Sequence, residues 1–236
     1  MDMNDIKKRL GFKAVDELVK DRMKIGLGTG STAVFAIKRI RECLNEGKLT
    51  SIFCVPTSMQ AELECRRYNI STYSLNDTII NGELDLTIDG ADEVDPEWNL
   101  IKGGGGALFM EKIVGFCSEN YAIVVDETKI TKQLGQSFQI PVEVLPYAMV
   151  PVSRALEKTG ASLNVRLAQR KAGPVITRYG NIIIDISFRE PFNPAILEQK
   201  LNSIPGVIEN GIFTLNVTDV FIGYKNGNVK HLRKNK

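Results

Sequence analysis

The chain has 236 residues, of which 43% are hydrophobic and 25% charged, and its formal net charge is +2. These values are ordinary for a globular protein, so they exclude a disordered or fibrous chain and allow one large and one small domain. Positive charge is concentrated only in the final segment KHLRKNK, which we interpret as a solvated tail and not as a nucleic-acid-binding surface.

The cysteines and the apolar runs indicate a soluble cytoplasmic protein. Cys43, Cys54, Cys65 and Cys117 lack the C-x-x-C spacing of zinc or redox sites, and no signal peptide is recognised before them. No apolar run reaches the ~18 residues that a membrane helix requires. We therefore expect reduced thiols and no membrane association.

The first half of the chain alternates short apolar runs with helix-compatible segments, which is typical of an α/β domain with a mainly parallel sheet. We assign residues 1–132 to this large domain. Helices are predicted near 4–20, 31–47 and 58–68, and strands in MKIGLG (23–28), SIFCV (51–55), ELDLTID (83–89) and YAIVVD (121–126).

The second half is rich in strand-like segments with two interleaved helical patterns, so residues 133–211 are predicted to form a smaller α+β domain. Strands are expected in PVEVLP (141–146), SLNVRLA (162–168), PVITRYGNIIIDISF (174–188) and GVIENGIFTLN (206–216), and helices near 151–159 and 194–202. Asn226-Gly227 predicts a hairpin within 212–236 that returns to the large sheet.

The first glycine loop, GLGTGSTA (Gly26–Ala33), lies where a strand turns into a helix. Glycine amides, two hydroxyls and a helix N-terminus favour a phosphate ligand. The spacing is not G-x-G-x-x-G, no acidic residue ends the next strand, and no lysine follows the glycines, so dinucleotide and P-loop sites are excluded. A tight turn with Ser31 or Thr32 as N-cap is the alternative.

The second glycine loop, Gly103–Gly106, could by itself be a flexible linker. It leads directly into a segment in which Met110, Ile113, Val114 and Cys117 form one apolar helical stripe, which argues against a linker. We predict that the two loops form two walls of one cleft at the carboxyl edge of a parallel sheet.

A run of carboxylates precedes the second glycine loop: Asp89, Asp92, Glu93, Asp95 and Glu97. A calcium loop starting at Asp89 fails because Val94 and Leu100 stand where Gly and Glu are needed, and the lack of histidine disfavours a transition metal. A two-carboxylate magnesium site stays open, as does a solvated acidic turn. The solvated turn explains Asp89 poorly because that residue ends an apolar strand.

Glu111 is the candidate general base. It lies at the edge of the apolar stripe, where partial burial would make its carboxylate a stronger proton acceptor, although a solvated surface glutamate is the alternative. The only histidine, His231, is expected to be a surface residue. Ser–His–Asp and Cys–His chemistry are therefore disfavoured.

These pieces, in this order, closely resemble the ribose-5-phosphate isomerase A family, and the likeness runs from Lys7 to the end of the chain. The matching segments are GLGTGST (26–32), DGAD (89–92), KGGGGAL (102–108), MEK (110–112), DETK (126–129), PVEVLP (141–146) and LNSIPGV (201–207). The family implies a Rossmann-like large domain, a small α+β domain, and a homodimer or homotetramer. It also implies an isomerase of the pentose phosphate pathway that uses neither metal nor organic cofactor.

By match of motif, the resemblance assigns a role to each site residue. Glu111 would move a proton between C2 and C1 through an enediolate, while Asp89, Asp92 and Lys102 would act on the sugar oxygens. The further substrate-binding residues that the resemblance implies are Lys7, Thr29, Gly30, Ser31, Thr32, Gly90, Ala91, Gly103, Gly104, Gly105 and Lys129. One departure is Met110, where many members carry Arg, and we expect it to change helix packing but not the chemistry.

Two other functions stay open at this point. A non-catalytic sugar-phosphate sensor would normally carry a helix-turn-helix domain, and the sequence before the first motif has room for one helix only. A coenzyme A transferase of related fold would use its glutamate as a nucleophile. Fold analogy alone does not choose among these functions.

Overall fold

The computed structural model describes residues 2–215 and 217–234, so Asn235 and Lys236 of the predicted basic tail lie outside the described residues. Within that range the chain forms two compact units. Unit 1 consists of three stretches, one up to Gly90, then Met110–Ile130, and then from Leu215 onward. Unit 2 consists of Ala91–Phe109 and Thr131–Thr214.

The elements follow the predicted alternation in the first half and the strand-rich pattern in the second. The α-helices are α1 (Met3–Leu18), α2 (Ala33–Asn45), α3 (Met59–Arg67), α4 (Leu108–Phe116), α5 (Met149–Glu157) and α6 (Pro194–Asn202). The strands are β1 (Lys24–Leu27), β2 (Phe53–Pro56), β3 (Leu84–Asp89), β4 (Glu93–Val94), β5 (Leu100–Ile101), β6 (Ser118–Asp126), β7 (Ile140–Val144), β8 (Ser162–Val165), β9 (Ile182–Ser187), β10 (Val207–Asn210), β11 (Ile212–Phe213), β12 (Asp219–Gly223) and β13 (Val229–Arg233).

Unit 1 contains a six-stranded sheet in the order β13-β12-β6-β3-β1-β2. Its strands run parallel except β13, which pairs antiparallel with β12 across the turn at Asn226-Gly227. The predicted mainly parallel α/β sheet is therefore confirmed, and the hairpin joins it beside β6.

Helix α1 shows how the sequence builds the core of unit 1. The Asp2 side chain accepts a hydrogen bond from Asn4 N and caps the helix. Ile6, Leu10 and Ala14 then fall four residues apart on one face, and all are buried in the main core of the unit. Full burial of each large apolar side chain contributes about 1.5–3 kcal/mol.

His231 differs from its predicted role as a surface residue. Its Nδ1 lies 2.7 Å from Glu17 Oε2, and its Nε2 lies 2.7 Å from the Oδ1 of buried Asp219. The ring stacks on Phe221 with centroids 3.9 Å apart. Because His231 pairs with Phe221 in the hairpin register, strand alternation turns it toward the sheet face that carries α1.

Unit 2 combines a four-stranded antiparallel sheet, β10-β7-β9-β8, with a three-stranded sheet, β11-β5-β4, and helices α5 and α6. Its core includes Val142 and Ile184 from the larger sheet and Leu156 and Leu201 from the helices. The predicted second α+β domain is confirmed by this arrangement. No helix within residues 2–215 and 217–234 is both long enough and apolar enough to cross a membrane.

The division into units differs from the predicted domain boundary in the stretch 91–109. The sequence places this stretch in the large domain because it directly follows an apolar strand. In the structure β5 pairs with β11, with Ile101 opposite Ile212 and Leu100 opposite Phe213. This pairing joins residues that are more than 100 positions apart, so local pattern gives no sign of it.

The acidic run is largely buried, so the solvated interpretation is wrong for Glu93 and Asp95. Asp95 Oδ1 accepts hydrogen bonds from the amides of Glu97 and Asn99 and closes a tight turn. Glu93 accepts from three amides of one loop: Gly135 N at 2.6 Å, Ser137 N at 2.5 Å and Phe138 N at 2.9 Å. These carboxylates therefore order the backbone of unit 2.

Glu93→Gln is expected to destabilise unit 2 by about 1–3 kcal/mol. The glutamine NH₂ group replaces one carboxylate oxygen, so at least one loop N–H loses its acceptor and faces another donor. The only tryptophan, Trp98, lies in this unit, so urea unfolding followed by its fluorescence reports the change. Glu97→Gln, at an exposed position, is the control. Equal urea midpoints for the two variants would contradict the role given to Glu93.

Candidate active site

Three predicted site segments in unit 1 lie at the carboxyl ends of neighbouring parallel strands. The first glycine loop follows β1, Asp89 is the last residue of β3, and Lys129 ends the 3₁₀ turn Glu127–Lys129 that follows β6. Since β6, β3 and β1 are adjacent and parallel, all three segments lie at one edge of the sheet. This is the edge where open α/β sheets bind ligands.

Asp89 is fully buried and holds two loop amides. Its Oδ1 accepts hydrogen bonds from Thr29 N at 3.0 Å and from Gly90 N at 2.7 Å. A Cβ on Gly28 would lie 2.1 Å from that same oxygen, so only glycine allows the carboxylate to approach. The structure thus brings the first glycine loop and the DGAD segment together through one carboxylate.

The rest of the first loop carries amide, hydroxyl and ammonium groups. Gly30 has φ of +99°, and its N–H donates to Gln60 Oε1 at 3.0 Å. Lys7 Nζ, from α1, donates to Ser31 Oγ at 2.9 Å. Thr32 occupies the N-cap position of α2 but makes no side-chain cap hydrogen bond. The alternative of a turn capped by the Thr32 side chain is therefore not found, and the phosphate ligand stays a prediction.

Lys129 is carried by a turn that the protein fixes. Asp126 Oδ1 accepts from Thr128 N at 3.0 Å and also from the Thr128 hydroxyl. Lys129 is half-buried directly after this turn. A cation is thus held at the same sheet edge as the first glycine loop.

Glu111 is 5% exposed and lies in the first turn of α4. The interpretation as a solvated surface residue is therefore wrong. Helix α4 ends at Phe116, and β6 begins at Ser118, so the end of the helix adjoins the amino end of that strand. Leu84 N, at the start of β3, donates to Cys117 O at 2.9 Å, and a Cβ on Gly26 of β1 would lie 2.5 Å from Val114. The helix therefore runs back along the sheet, and its first turn lies on the carboxyl-edge side of Val114.

The predicted apolar stripe of α4 supports this helix, since Val114 is buried and Met110 and Cys117 pack in the same cluster. The expectation that Met110 changes the packing of this helix without changing the chemistry stays a prediction. Burial raises the pKa of the Cys117 thiol, so this cysteine stays a neutral packing residue.

Unit 2 holds the remaining predicted residues around the second glycine loop. Lys102 is 2% exposed, its amide donates to Gly211 O at 2.9 Å, and its Nζ lies 5.6 Å from the centroid of the Phe213 ring. Asp92 N donates to Ile101 O, and Asp92 Oδ2 accepts from Gly104 N at 2.8 Å. Gly103, Gly105 and Ala91 complete the loops beside these residues.

The placement of the second loop differs from the prediction in one respect. It follows β5, which pairs antiparallel with β4 and β11, and not a strand of the parallel sheet. The prediction of a parallel-sheet edge is wrong for this loop, because the strand before it is two residues long and pairs with a distant segment. The loop is nevertheless not a flexible linker. Asp92 accepts a hydrogen bond from Gly104 N, and the Arg166 side chain donates to the carbonyl oxygens of Gly103 and Gly104.

Sequence reasoning missed two residues that hold the loops. Gln60 accepts the Gly30 amide, and nothing in its sequence surroundings marks it. Arg166 Nη1 donates to Gly103 O at 2.8 Å and to Gly104 O at 3.2 Å, while its Nε donates to Asp185 Oδ2 at 2.8 Å. In the sequence, Arg166 and Asp185 are each an isolated charge in an apolar strand segment. Such a charge needs a partner, and this signal could have revealed the contact.

Among the described residues, no group of three or more His, Cys, Asp or Glu side chains is arranged to hold a metal ion. The carboxylates of Asp89, Asp92 and Glu93 accept hydrogen bonds from backbone amides instead. The expectation of a reaction without metal or organic cofactor stays a prediction.

Comparison with known proteins identifies the family. The family model for ribose 5-phosphate isomerase A (phosphoriboisomerase A) matches residues 53–227. A ribose-5-phosphate isomerase A from Treponema denticola is 45% identical over 239 residues, which cover 98% of this chain and all of the relative. One from Thermosynechococcus vestitus is 46% identical over 215 residues, which cover 91% of this chain and 89% of the relative.

The chain belongs to the ribose-5-phosphate isomerase A family.

Solved structures of the ribose-5-phosphate isomerase A family share the fold. That of ribose 5-phosphate isomerase A from Methanocaldococcus jannaschii has a TM-score of 0.91 at 44% identity, covering 99% of this chain and 100% of that chain. A D-ribose-5-phosphate isomerase in complex with phospho-erythronic acid has a TM-score of 0.93 at 41% identity with the same coverage. The fold expected from the family resemblance is therefore confirmed.

Proposed function

We propose that this protein interconverts D-ribose 5-phosphate and D-ribulose 5-phosphate as an aldose–ketose isomerase of the non-oxidative pentose phosphate pathway. Its membership of the ribose-5-phosphate isomerase A family supports this assignment. The observation that carries it is the carboxyl edge of the parallel sheet in unit 1, where the first glycine loop follows β1, Asp89 ends β3 and Lys129 ends the turn after β6.

The substrate phosphate binds at that edge in this proposal. The amides and hydroxyls of Ser31 and Thr32 donate to it, and the ammonium groups of Lys7 and Lys129 balance its charge. Thr29 and Gly30 shape the loop around the phosphate, because their amides are held by Asp89 and Gln60. The bond between Lys7 Nζ and Ser31 Oγ supports this grouping, because it holds a cation against the loop before any anion arrives. The binding energy of the phosphate holds C1 and C2, which are remote from it, in the orientation that the reaction needs.

Glu111 carries the proton. In the direction from aldose to ketose its carboxylate takes the C2 hydrogen, and the electrons of that bond form the C1=C2 double bond of an enediolate with negative charge on O1. A proton passes from O2 to O1, and Glu111 returns its own proton to C1, which leaves a carbonyl at C2. The base ends as it began, and the reaction consumes no oxidant or reductant. The buried position of Glu111 supports this role, because a shielded carboxylate is a suitable general base.

Asp89, Asp92 and Lys102 bind the sugar oxygens. Lys102 and amides of the second glycine loop stabilise the oxyanion of the enediolate, and an aspartate assists ring opening. The burial of Lys102 supports an electrostatic role, since a charge in a dry site acts more strongly than one in water. No bound nucleic acid and no organic cofactor enter this scheme.

Two features of the setting belong to the proposal as well. We place the enzyme in the cytoplasm as a homodimer or homotetramer, as the resemblance implies. The complex of a relative with phospho-erythronic acid, a phosphorylated sugar acid, supports a small phosphosugar as the substrate.

The proposal is tested by incubating the purified protein, after dialysis against EDTA, with ribose 5-phosphate in deuterated water. Ribulose 5-phosphate should form and carry deuterium on carbon, because a carboxylate base can exchange its proton with solvent before returning it. Absence of isomerisation would overturn the proposal. Activity that returned only on addition of magnesium or manganese would reassign the acidic run as a metal site.

Lys129→Ala is expected to weaken ribose 5-phosphate binding about 10- to 150-fold, because a charge-assisted hydrogen bond contributes about 1.5–3 kcal/mol. Inorganic phosphate should weaken as a competitor in parallel, whereas affinity for unphosphorylated ribose should not change. Titration calorimetry measures these affinities. Lys132→Ala, which removes an exposed lysine three residues away, is the control. Unchanged phosphate affinity in the Lys129 variant would exclude that residue from the site.

A further inference from the structure

We propose that Arg166 is a positioning residue for the isomerase reaction, which fixes two peptide planes of the second glycine loop so that the Gly104 amide holds Asp92 and the Gly105 amide faces the substrate. Asp185 acts with it by holding the guanidinium in place. This inference rests on the proposed function, because it takes the loop amides and Lys102 as the groups that stabilise the enediolate.

The guanidinium of Arg166 contacts the loop and Asp185 at once. Its Nη1 donates to two successive carbonyls, Gly103 O at 2.8 Å and Gly104 O at 3.2 Å. Its Nε donates to Asp185 Oδ2 at 2.8 Å, and its Nη2 pairs with Asp185 Oδ1. A planar guanidinium is well suited to this arrangement, because its donors have fixed directions.

The two carbonyl contacts determine where the amides point. In a trans peptide unit the C=O and the following N–H lie on opposite sides of the chain. The N–H groups of Gly104 and Gly105 therefore point away from Arg166. The Gly104 amide illustrates this, since it donates to Asp92 Oδ2 at 2.8 Å. Arg166 thus sets the orientation of the amides on the side of the loop that carries Asp92.

Glycine residues make such a restraint necessary. Gly103 has φ of +104° and Gly106 has φ of +73°, and a run of glycines has many backbone conformations of similar energy. An oxyanion site is effective only when its donors are already oriented before the charge develops. A mobile loop would have to be ordered in each catalytic cycle. The contacts of Arg166 remove this requirement.

A purely structural role is the competing explanation. Arg166 and Asp185 could simply join the end of β8 to β9, because Asn164 pairs with Asp185 in that register. That role needs the ion pair alone and makes no use of the carbonyl contacts. Arg166→Lys separates the two explanations, since a lysine keeps the charge opposite Asp185 but cannot hold the carboxylate and both carbonyls in one plane.

The experiment compares wild-type protein, Arg166→Lys, Arg166→Ala and Arg154→Ala, the last at an exposed arginine of the same unit. We expect Arg166→Lys to keep the thermal midpoint and the competition constant of inorganic phosphate, while kcat falls on the order of 100-fold through misplaced donors. Millimolar methylguanidine should restore part of the kcat of Arg166→Ala and leave the wild type and the Arg154 variant unchanged.

Each result decides the matter. Wild-type kcat in Arg166→Lys would overturn the inference, as would a loss of folding in both Arg166 variants, which would make the residue structural. If Arg166→Ala alone fails to fold, the kcat of Arg166→Lys decides. A kcat of Arg166→Ala that methylguanidine does not raise in folded protein would also count against it. If the wild-type protein does not isomerise ribose 5-phosphate, the proposed function fails independently of Arg166.

Discussion

Glu111→Gln is expected to lower kcat by about 10²–10⁴-fold, the usual contribution of a general base. Glutamine has the size and shape of glutamate and can occupy the same buried position in α4. It cannot accept a proton from carbon, and His231, the only imidazole, is held between Glu17 and Asp219. Affinity for ribose 5-phosphate should change less than about tenfold, because binding depends mainly on the phosphate.

Three measurements check this expectation: kcat in a coupled assay, calorimetric affinity for ribose 5-phosphate, and deuterium incorporation from heavy water, which the variant should lose. Glu83→Gln, at an exposed position of unit 1, is the matched control. A near-normal kcat in the Glu111 variant would leave Asp89 or Asp92 as the base. A wild type that binds the sugar phosphate without isomerising it would be a sensor, and a thioester trapped with acyl-CoA would indicate the transferase.

Lys102→Met is expected to lower kcat by about 10²–10³-fold, the effect of removing one preorganised oxyanion donor. Methionine resembles the lysine stem in length and flexibility, so the contact with the Phe213 ring should survive. Since removing one member of a buried charged contact can destabilise a protein, the thermal midpoint of the variant is measured beside kcat. This measurement separates the loss of charge from a loss of fold.

The kinetic comparison for Lys102→Met uses Lys200→Met as control, because that lysine is exposed on α6 of the same unit. The kinetic constants are compared at a temperature well below the thermal midpoint of both variants, so that a loss of charge is distinguished from a loss of fold. Competition by inorganic phosphate should also stay unchanged, since the phosphate-binding residues of the proposal lie elsewhere. A Lys102 variant with normal kcat, or one that lost only affinity for phosphate, would remove this lysine from oxyanion stabilisation.

Local sequence pattern predicts much of unit 1. Each strand of the parallel sheet is a short apolar run, and the residue that ends β3, Asp89, is visible as a carboxylate where the run stops. Gly28 and Gly30 are likewise local signals, because a close approach to Asp89 and a φ of +99° both require glycine. Structural features that depend on residues close together in the sequence can therefore be predicted from the sequence alone.

The parts that the sequence misses depend on distant partners. The 91–109 stretch joins unit 2 through a strand pair with Ile212–Phe213, and Glu93 binds amides more than 40 positions away. Arg166 reaches the second glycine loop from over 60 positions along the chain. A carboxylate or a guanidinium in an apolar segment reveals that a partner exists, but its identity follows only from the three-dimensional arrangement.

Unit 1 is built from three separate stretches of the chain, so its strands are synthesised at different times during translation. Strand β6 is complete at Asp126, yet its neighbour β12 begins only at Asp219, so β6 has one open edge during translation of the intervening 92 residues. The stretches of unit 2 end at Thr214, before β12 is made. Unit 2 can therefore fold before β12 and β13, the last two strands of unit 1, have been synthesised. An exposed edge strand invites association with other chains, so this interval is when the nascent protein most needs a chaperone.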